Sequence, residues 1–233
     1  MYFFTADIHF ADPRSMKDDY RPFKSIKQYD KFIIKDWNKT AKKGDTIFVI
    51  GDLLDCDGKS GEIWQKGLSY IKKVKADVVL IIGNNEERII AKFFNNSFDD
   101  FAALCVAHGI KSVHRSLVIE MDGKKFNLVH QIMHGDKRYI NLFGHTHLCS
   151  GLYHPYGLCL STDLNHFRLV TPEILQSYLK RKYDYWEPDD NTNYPNPFIK
   201  KVNGKWINIK KESSAKWQEY KRDNDFDFVK KSK

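Results

Sequence analysis

Seven residues in five short blocks of this 233-residue chain carry side chains that ligate metals. The blocks are Asp7-x-His9, Gly51-Asp52, Gly83-Asn84, His130 and Gly144-His145-Thr146-His147. Together they offer four imidazoles, two carboxylates and one amide oxygen, a set large enough for two divalent ions sharing a carboxylate. Each block has an ordinary explanation when taken singly. Gly-Asp and Gly-Asn are turn dipeptides, and a lone histidine caps a hydrogen bond more often than it binds metal. Five together, each at the end of an apolar, strand-like run, are hard to obtain by accident. Asp7 and His9 stand two residues apart, so an extended segment projects both to one side.

Strands must deliver these blocks, and the chain supplies them in order. Tyr2 to Thr5 is rich in aromatic and β-branched types and runs into Asp7. An irregular stretch with Pro13 and Pro22 extends to Phe23 and reads as a loop at the mouth of the site. Ser25 and Gln28 fit a capping box, and Ile26, Tyr29, Ile33 and Trp37 then recur at helical spacing until Gly44. Thr46 to Ile50 is a strand delivering Gly51-Asp52; a polar loop with Gly58 and Gly61 and a helix from Glu62 to Val74 follow. Val78 to Ile82 is an apolar strand delivering Gly83-Asn84-Asn85-Glu86. Successive strand–helix units with polar strand ends are the signature of βαβ winding, with the site at the carboxyl edge.

Farther on, helices are expected over Glu86–Phe94 and Phe98–Ala107, stopped at His108-Gly109. Asp122-Gly123 between Ser116–Glu120 and Lys125–Val129 is a hairpin signal, its second strand leading to His130. Tyr139 to Phe143 delivers Gly144-His145. Gly157–Thr162 and His166–Val170 read as a further strand pair, and Pro172 begins a helix to Lys182. Parallel units followed by antiparallel strands imply two packed sheets with helices outside. Residues 1–183 read as a catalytic domain and 184–233 as a basic, aromatic-rich extension. The extension has a hairpin around Asn203-Gly204 and a short helix over Ser214–Lys221. Its Trp186, Trp206 and Trp217 stand among lysines, where they could stack bases, pack on the first domain or form a subunit contact.

Composition narrows the function classes. The chain is 42% hydrophobic, and no apolar run approaches the ~18 residues of a membrane span. The apolar start is short and has neither a basic leader nor a cleavage site, so a cytoplasmic protein is expected. Cys56, Cys105, Cys149 and Cys159 are scattered, with no CxxC pair, and read as reduced thiols. A net charge of +8 is compatible with a phosphate-bearing partner, nucleic acid included, without requiring one.

The ordered series DxH, GD, GNxE, H and GHTH resembles the calcineurin-like metallophosphoesterase family, over roughly Met1 to Val170. Asp163-Leu164-Asn165 also resembles the family's closing strands. The resemblance implies an α/β fold, a four-layer α/β/β/α sandwich around a dinuclear centre. By that resemblance Asp7, His9 and His147 bind one ion, Asp52 bridges, and Asn84, His130 and His145 bind the other. The ions would be Mn, Fe, Ni or Zn, with Mn preferred. Such a pair clamps phosphoryl oxygens and activates a bridging water for in-line attack. Gly51, Gly83 and Gly144 are expected to allow the sharp turns that bring ligands inward.

One position departs from the family. Its third block normally reads Gly-Asn-His followed by an acid, and that histidine serves the leaving group; here Asn85 stands there. An amide donates a hydrogen bond but no proton at neutral pH. Three explanations are open: a natural variant for activated esters, another histidine standing in, or a chain mutated to trap a ligand. His134, four residues after His130, is the nearest stand-in by sequence. Arg14 and Arg138, with Lys137, lie near metal-binding blocks and are candidates for substrate phosphate. His108, His114, His154 and His166 are assigned core or surface roles. The sequence therefore reads as a phosphoesterase, with nucleotide-type phosphodiesters favoured as substrates. The alternative is a catalytically weakened or silent module of the same fold that binds a protein or nucleic-acid partner.

Overall fold

Four parallel strands, β1 (Tyr2–Thr5), β2 (Thr46–Ile50), β3 (Asp77–Ile81) and β4 (Ile110–His114), form the first sheet in sequence order. The computed structural model describes residues 1–56, 60–149, 151–154 and 156–180, and the backbone of 181–185, 199–202 and 205–208. Strands that step one way with right-handed crossovers place every connecting helix on one face. Those helices are α1 (Pro13–Asp18), α2 (Ile26–Thr40), α3 (Glu62–Ser69), α4 (Asn84–Phe93) and α5 (Phe98–Ala107). Along the strands the side chains alternate between two cores. Phe3, Ile47, Val49, Val78 and Leu80 pack with Tyr29, Ile33 and Trp37 of α2, Leu68 of α3 and Phe101 of α5. Tyr29, Ile33 and Trp37 are at most 1% exposed, and each such burial contributes roughly 2–3 kcal/mol.

Phe4, Phe48, Ile50, Val79 and Ile81 point the other way, into a second sheet. That sheet is β5 (Leu117–Met121), β6 (Lys124–Leu128), β7 (Ile140–Phe143), β8 (Tyr153–His154) and β9 (Gly157–Cys159), in the order β5-β6-β7-β9-β8. Phe126, Leu128, Leu142 and Leu158 supply its inner face, and α6 (Pro172–Tyr185) adds Leu175 and Leu179 to the same core. The result is the expected α/β sandwich. Its most legible turn is at β5–β6, where Asp122 (φ 50°) and Gly123 (φ 71°) make the left-handed pair of a two-residue hairpin loop.

Several local expectations are corrected. The segment after His9 is not all loop. Asp12 caps α1 by accepting the Arg14 amide, and Pro13 enters its first turn. The strand β4 was not anticipated, since Ile-Lys-Ser-Val-His lacks an apolar alternation. The helix expected to reach Val74 tightens into a 3-10 turn over Tyr70–Lys73. His166–Val170 is not a strand: His166 (φ 54°) and Phe167 (φ 60°) turn the chain, leaving an isolated bridge from Val170 to Phe4. The helix α4 starts at Asn84, not Glu86, which places Asn84 and Asn85 in its first turn.

The chain divides into compact units at 1–182 and 183–233. In the second, β10 (Ile199–Val202) pairs antiparallel with β11 (Lys205–Asn208). Asn203-Gly204, Gly58, Trp186, Trp217, the side chain of Trp206 and the expected helix 214–221 lie outside the described residues. Among the described residues no helix is long and apolar enough to cross a membrane.

Candidate metal centre

The five blocks converge because the strand ends run side by side past the last sheet pairing. Asp7 donates its amide to the Gly51 carbonyl, His9 to Asp52 and Phe10 to Leu53, so the β1 and β2 loops remain zipped. Gly144 donates to His130, and Thr162 to Ala6, which joins the second sheet to the first at the same edge. In these loops Asp7 (φ 58°), His9 (φ 51°), Asp52 (φ 50°), His145 (φ 71°) and His147 (φ 45°) are all left-handed. For residues other than glycine each such conformation costs roughly 1–2 kcal/mol. The expected extended geometry of Asp7-x-His9 is therefore replaced by two consecutive reversals, which still leave both side chains buried at one place.

Two of the three strand-end glycines serve a purpose other than the one expected. Of Gly51, Gly83 and Gly144, only Gly51 has positive φ (83°), and a Cβ there would lie 2.1 Å from the His130 ring. Gly83, at φ −103°, adopts an ordinary backbone. It is needed for room, because its Cβ would lie 2.2 Å from Asp52 Oδ1. At Gly144 a Cβ would meet Ala6 at 2.6 Å and the Asp7 carboxylate at 2.9 Å.

Three of the four histidines are oriented alike. His9 Nδ1 donates to Asp55 Oδ2 at 3.1 Å, His130 Nδ1 to the Ile50 carbonyl at 2.9 Å, and His147 Nδ1 to Asp163 Oδ2 at 2.7 Å. Each outward bond fixes the ring and leaves Nε2 facing inward, the arrangement of metal-ligating imidazoles. His9 Nε2 is buried and has no hydrogen-bond partner. Asp52 Oδ2 lies 3.8 Å from His9 Nε2 and 3.5 Å from His130 Nε2, between the two rings. Asn84 Oδ1 is 3.1 Å from His130 Nε2. Ligand atoms of Asp7, His9 and His147 fall within 4.8 Å of one another, as do those of Asp7, Asp52 and His130. His145 packs its ring against His130 at 5.2 Å, and its amide donates to the Asp7 carboxylate at 2.9 Å. One feature suits a divalent cation here: the buried His9 Nε2, without a hydrogen-bond partner, faces the Asp52 carboxylate at 3.8 Å.

The electrostatics agree. Burial opposes charge on His130, yet the hydrogen bond and charge of Asp52 outweigh it and hold the imidazole at about 9. His147 is also at about 9, burial being outweighed by Asp7 and Asp163. Burial favours a neutral Asp52, but His130 and His9 keep it below the usual carboxylate range. His145 is lowered by burial and by its neighbour His130.

The other sequence candidates separate. Asn85 is 6% exposed, and its side-chain amide donates to Asp52 Oδ2 at 2.8 Å while its backbone donates to Asp52 Oδ1. Arg88 Nη1 donates to the side-chain Oδ1 of Asn85 at 3.3 Å. His134 is exposed and lines a cleft of about 420 Å³ whose wall includes Asn84, Glu87, Arg115, His130 and Gln131. Arg14 is half exposed and bonds Asp12 and Asp55, one residue removed from His9. Arg138 is 77% exposed, forks onto Asp136 and does not line the cleft. Lys137 lies over the Tyr156 ring.

Sequence reasoning missed the supports behind the ligands: Arg21, Asp55 and Glu86. Glu86 accepts from the amides of Asp52, Leu54 and Gly83, stapling two ligand loops together. Burial, then the charge of Asp52, raises it to about 7. Its signal was the acid ending Gly-Asn-Asn-Glu; Arg21 and Asp55 sit in loops without periodicity and gave none.

Comparison with known proteins follows this geometry. The model for calcineurin-like phosphoesterases matches residues 2–201. An uncharacterised protein of Methanocaldococcus jannaschii, MJ1445, is 26% identical over 125 residues, 54% of this chain and 55% of that one. The chain thus spans about half the length of that relative. The crystal structure of AQ665, a protein of unknown function from Aquifex aeolicus, superposes with a TM-score of 0.53 at 16% identity. It covers 76% of this chain and 98% of its own and shares the fold. A structure titled as a novel archaeal phosphodiesterase matches with a TM-score of 0.39 at 13% identity, over 69% of this chain and 81% of its own. With the family model spanning all five blocks, the chain belongs to the calcineurin-like phosphoesterase family.

Proposed function

We propose that the chain is a metal-dependent phosphoester hydrolase acting on phosphodiesters of nucleotide type. The observation that carries this reading is the convergence of the His9 and His130 Nε2 atoms on Asp52 Oδ2, with His9 Nε2 buried and without a hydrogen-bond partner, beside a cluster of Asp7, His9 and His147. Asp7, His9 and His147 would hold one divalent ion and Asn84, His130 and His145 the other, with Asp52 shared; Mn is the favoured metal. Bound there, the two ions would supply Lewis-acid stabilisation of the phosphoryl oxygens and acidify a water between them. The four free cysteines fit a reducing, cytoplasmic setting.

The chain's own residues shape what is cleaved. Asn85 spends its amide on Asp52 and has no proton to give, so departing groups of low basicity are favoured. A general acid is worth ~10² to 10⁴ in rate, which sets the penalty on poor leaving groups. The cleft beside Asn84 and His130 gives a second ester substituent somewhere to lie, which favours diesters over monoesters. His134 on its wall is the candidate to meet the leaving group, and Arg14 reaches the ligand His9 through Asp55. A catalytically silent binding module is the second reading, favoured by the diversion of Asn85 to Asp52.

The test is Mn²⁺-dependent hydrolysis of an aryl phosphodiester and an aryl phosphomonoester. Turnover with the diester preferred, abolished in Asp52→Ala, is the expected result. Metal binding with no hydrolysis of either ester would favour the silent module.

A further inference from the structure

We propose that Arg21 is a positioning residue for the first metal site, setting the ligand geometry of Asp7, His9 and His147 together. The inference rests on the dinuclear reading above. Arg21 comes from the loop after α1, and its side chain is fully buried. A buried guanidinium is tolerated only where its donors are met. Here all five N–H groups have acceptors. Nε donates to Asp163 Oδ1 at 3.0 Å, and Nη2 to Asp163 Oδ2 at 3.2 Å and the Asp7 carbonyl at 2.7 Å. Nη1 donates to the Ile8 carbonyl at 2.8 Å and to Ser15 Oγ at 3.4 Å. The Tyr29 ring, itself donating through its hydroxyl to the Ile8 carbonyl, lies 4.7 Å from the guanidinium carbon.

The choice of acceptors is informative. The carbonyls of Asp7 and Ile8 belong to the two peptide units between Asp7 and His9, both of which hold left-handed backbones. Asp163 accepts the Nδ1 proton of His147, so it fixes which way that ring presents Nε2. One planar group thus sets the backbone between two ligands and, through a carboxylate, the ring of a third from the other end of the chain. Joining the two loops does not require it, because Thr162 already donates its amide to the Ala6 carbonyl. What Arg21 adds is orientation. Lysine cannot supply it: an ammonium has three donors on a point charge and no fork to span a carboxylate and two carbonyls.

The test is Mn²⁺ binding by Arg21→Lys, read by calorimetry and by electron paramagnetic resonance. The expectation is that one of two binding steps weakens 10- to 100-fold, the size typical of losing an outer-shell partner, while the other is unchanged. The spectrum should change from an exchange-coupled pair to an isolated ion at intermediate Mn²⁺. A purely structural role would lower the melting temperature and leave both steps and the spectrum alone, and that result overturns the proposal. Equal weakening of both steps overturns it too. Should Arg21→Lys not fold, Arg21→Met with Asp163→Asn removes both buried charges together, a change that interiors often accept. That double variant must also lose one step selectively. If the unaltered chain binds no Mn²⁺, the dinuclear reading itself fails; two ions bound alike by both proteins overturn only the role of Arg21.

Discussion

Replacing Gly83 by alanine isolates the steric argument for the centre. The backbone at Gly83 is one that alanine accepts without strain. The added methyl carbon, however, would stand 2.2 Å from Asp52 Oδ1 and 2.6 Å from the Asp52 amide nitrogen. To reach even 3.0 Å, the carboxylate must withdraw by ~0.8 Å, and the Asp52 backbone nitrogen has no flexible tail with which to yield. Withdrawal also strains the bonds that Glu86 accepts from Asp52 and Gly83 and those that Asn85 donates to Asp52. Overpacking of this kind costs about 1–3 kcal/mol of stability. A displacement near 1 Å at a reacting centre costs roughly 10² in rate. Gly123→Ala is the control: φ is +71° and nothing lies within 4 Å, so it pays only the left-handed penalty of about 1 kcal/mol. Urea unfolding and Mn²⁺-dependent hydrolysis of an aryl phosphodiester should show both variants destabilised, with activity lost only in Gly83→Ala. Full activity and unaltered Mn²⁺ affinity in Gly83→Ala would refute the reasoning.

Two further outcomes follow from the same structure. Burial drives Asp30 up to about 6 from 3.8, partly offset by the Ala11 amide that it accepts, so the folded state resists its ionisation. Because the folded pKa is raised, stability should fall as pH rises from about 4 to 6. Asp30→Asn should accordingly stabilise the chain above pH 7, on the order of 2 kcal/mol by urea unfolding, and by little below pH 4; a pH-independent difference would count against this. Asn85→His should raise alkyl relative to aryl diester hydrolysis by about 10²-fold, the low end of a general acid's worth. An unchanged alkyl-to-aryl ratio would show that position 85 does not face the leaving group.

Where sequence pattern and physics coincide, the chain was legible. Continuous apolar runs placed β2 and β3, helical spacing placed the Tyr29–Ile33–Trp37 face of α2, and Asp122-Gly123 placed the β5–β6 turn. The ligand blocks were visible because each is a dense polar cluster at a strand end. The supports were not. Arg21 and Asp55 act through contacts with residues up to 142 positions away, and loops carry no period from which such contacts could be read. The left-handed turns at Asp7 and His9 were missed for a related reason. Neither is glycine, and they are held there by the pairing of the β1 loop with the β2 loop and by Arg21 on the carbonyls of Asp7 and Ile8. The same limitation hid the purpose of Gly83, whose need for room depends on Asp52, far away in sequence.

Anomalous diffraction from crystals grown with Mn²⁺ tests the central claim most directly. The account predicts two peaks about 3.5–4 Å apart. One should lie among Asp7, His9 and His147 and the other among Asn84, His130 and His145, with Asp52 touching both. A single peak, or one seated instead among Asp19, His147 and Asp163, would contradict it.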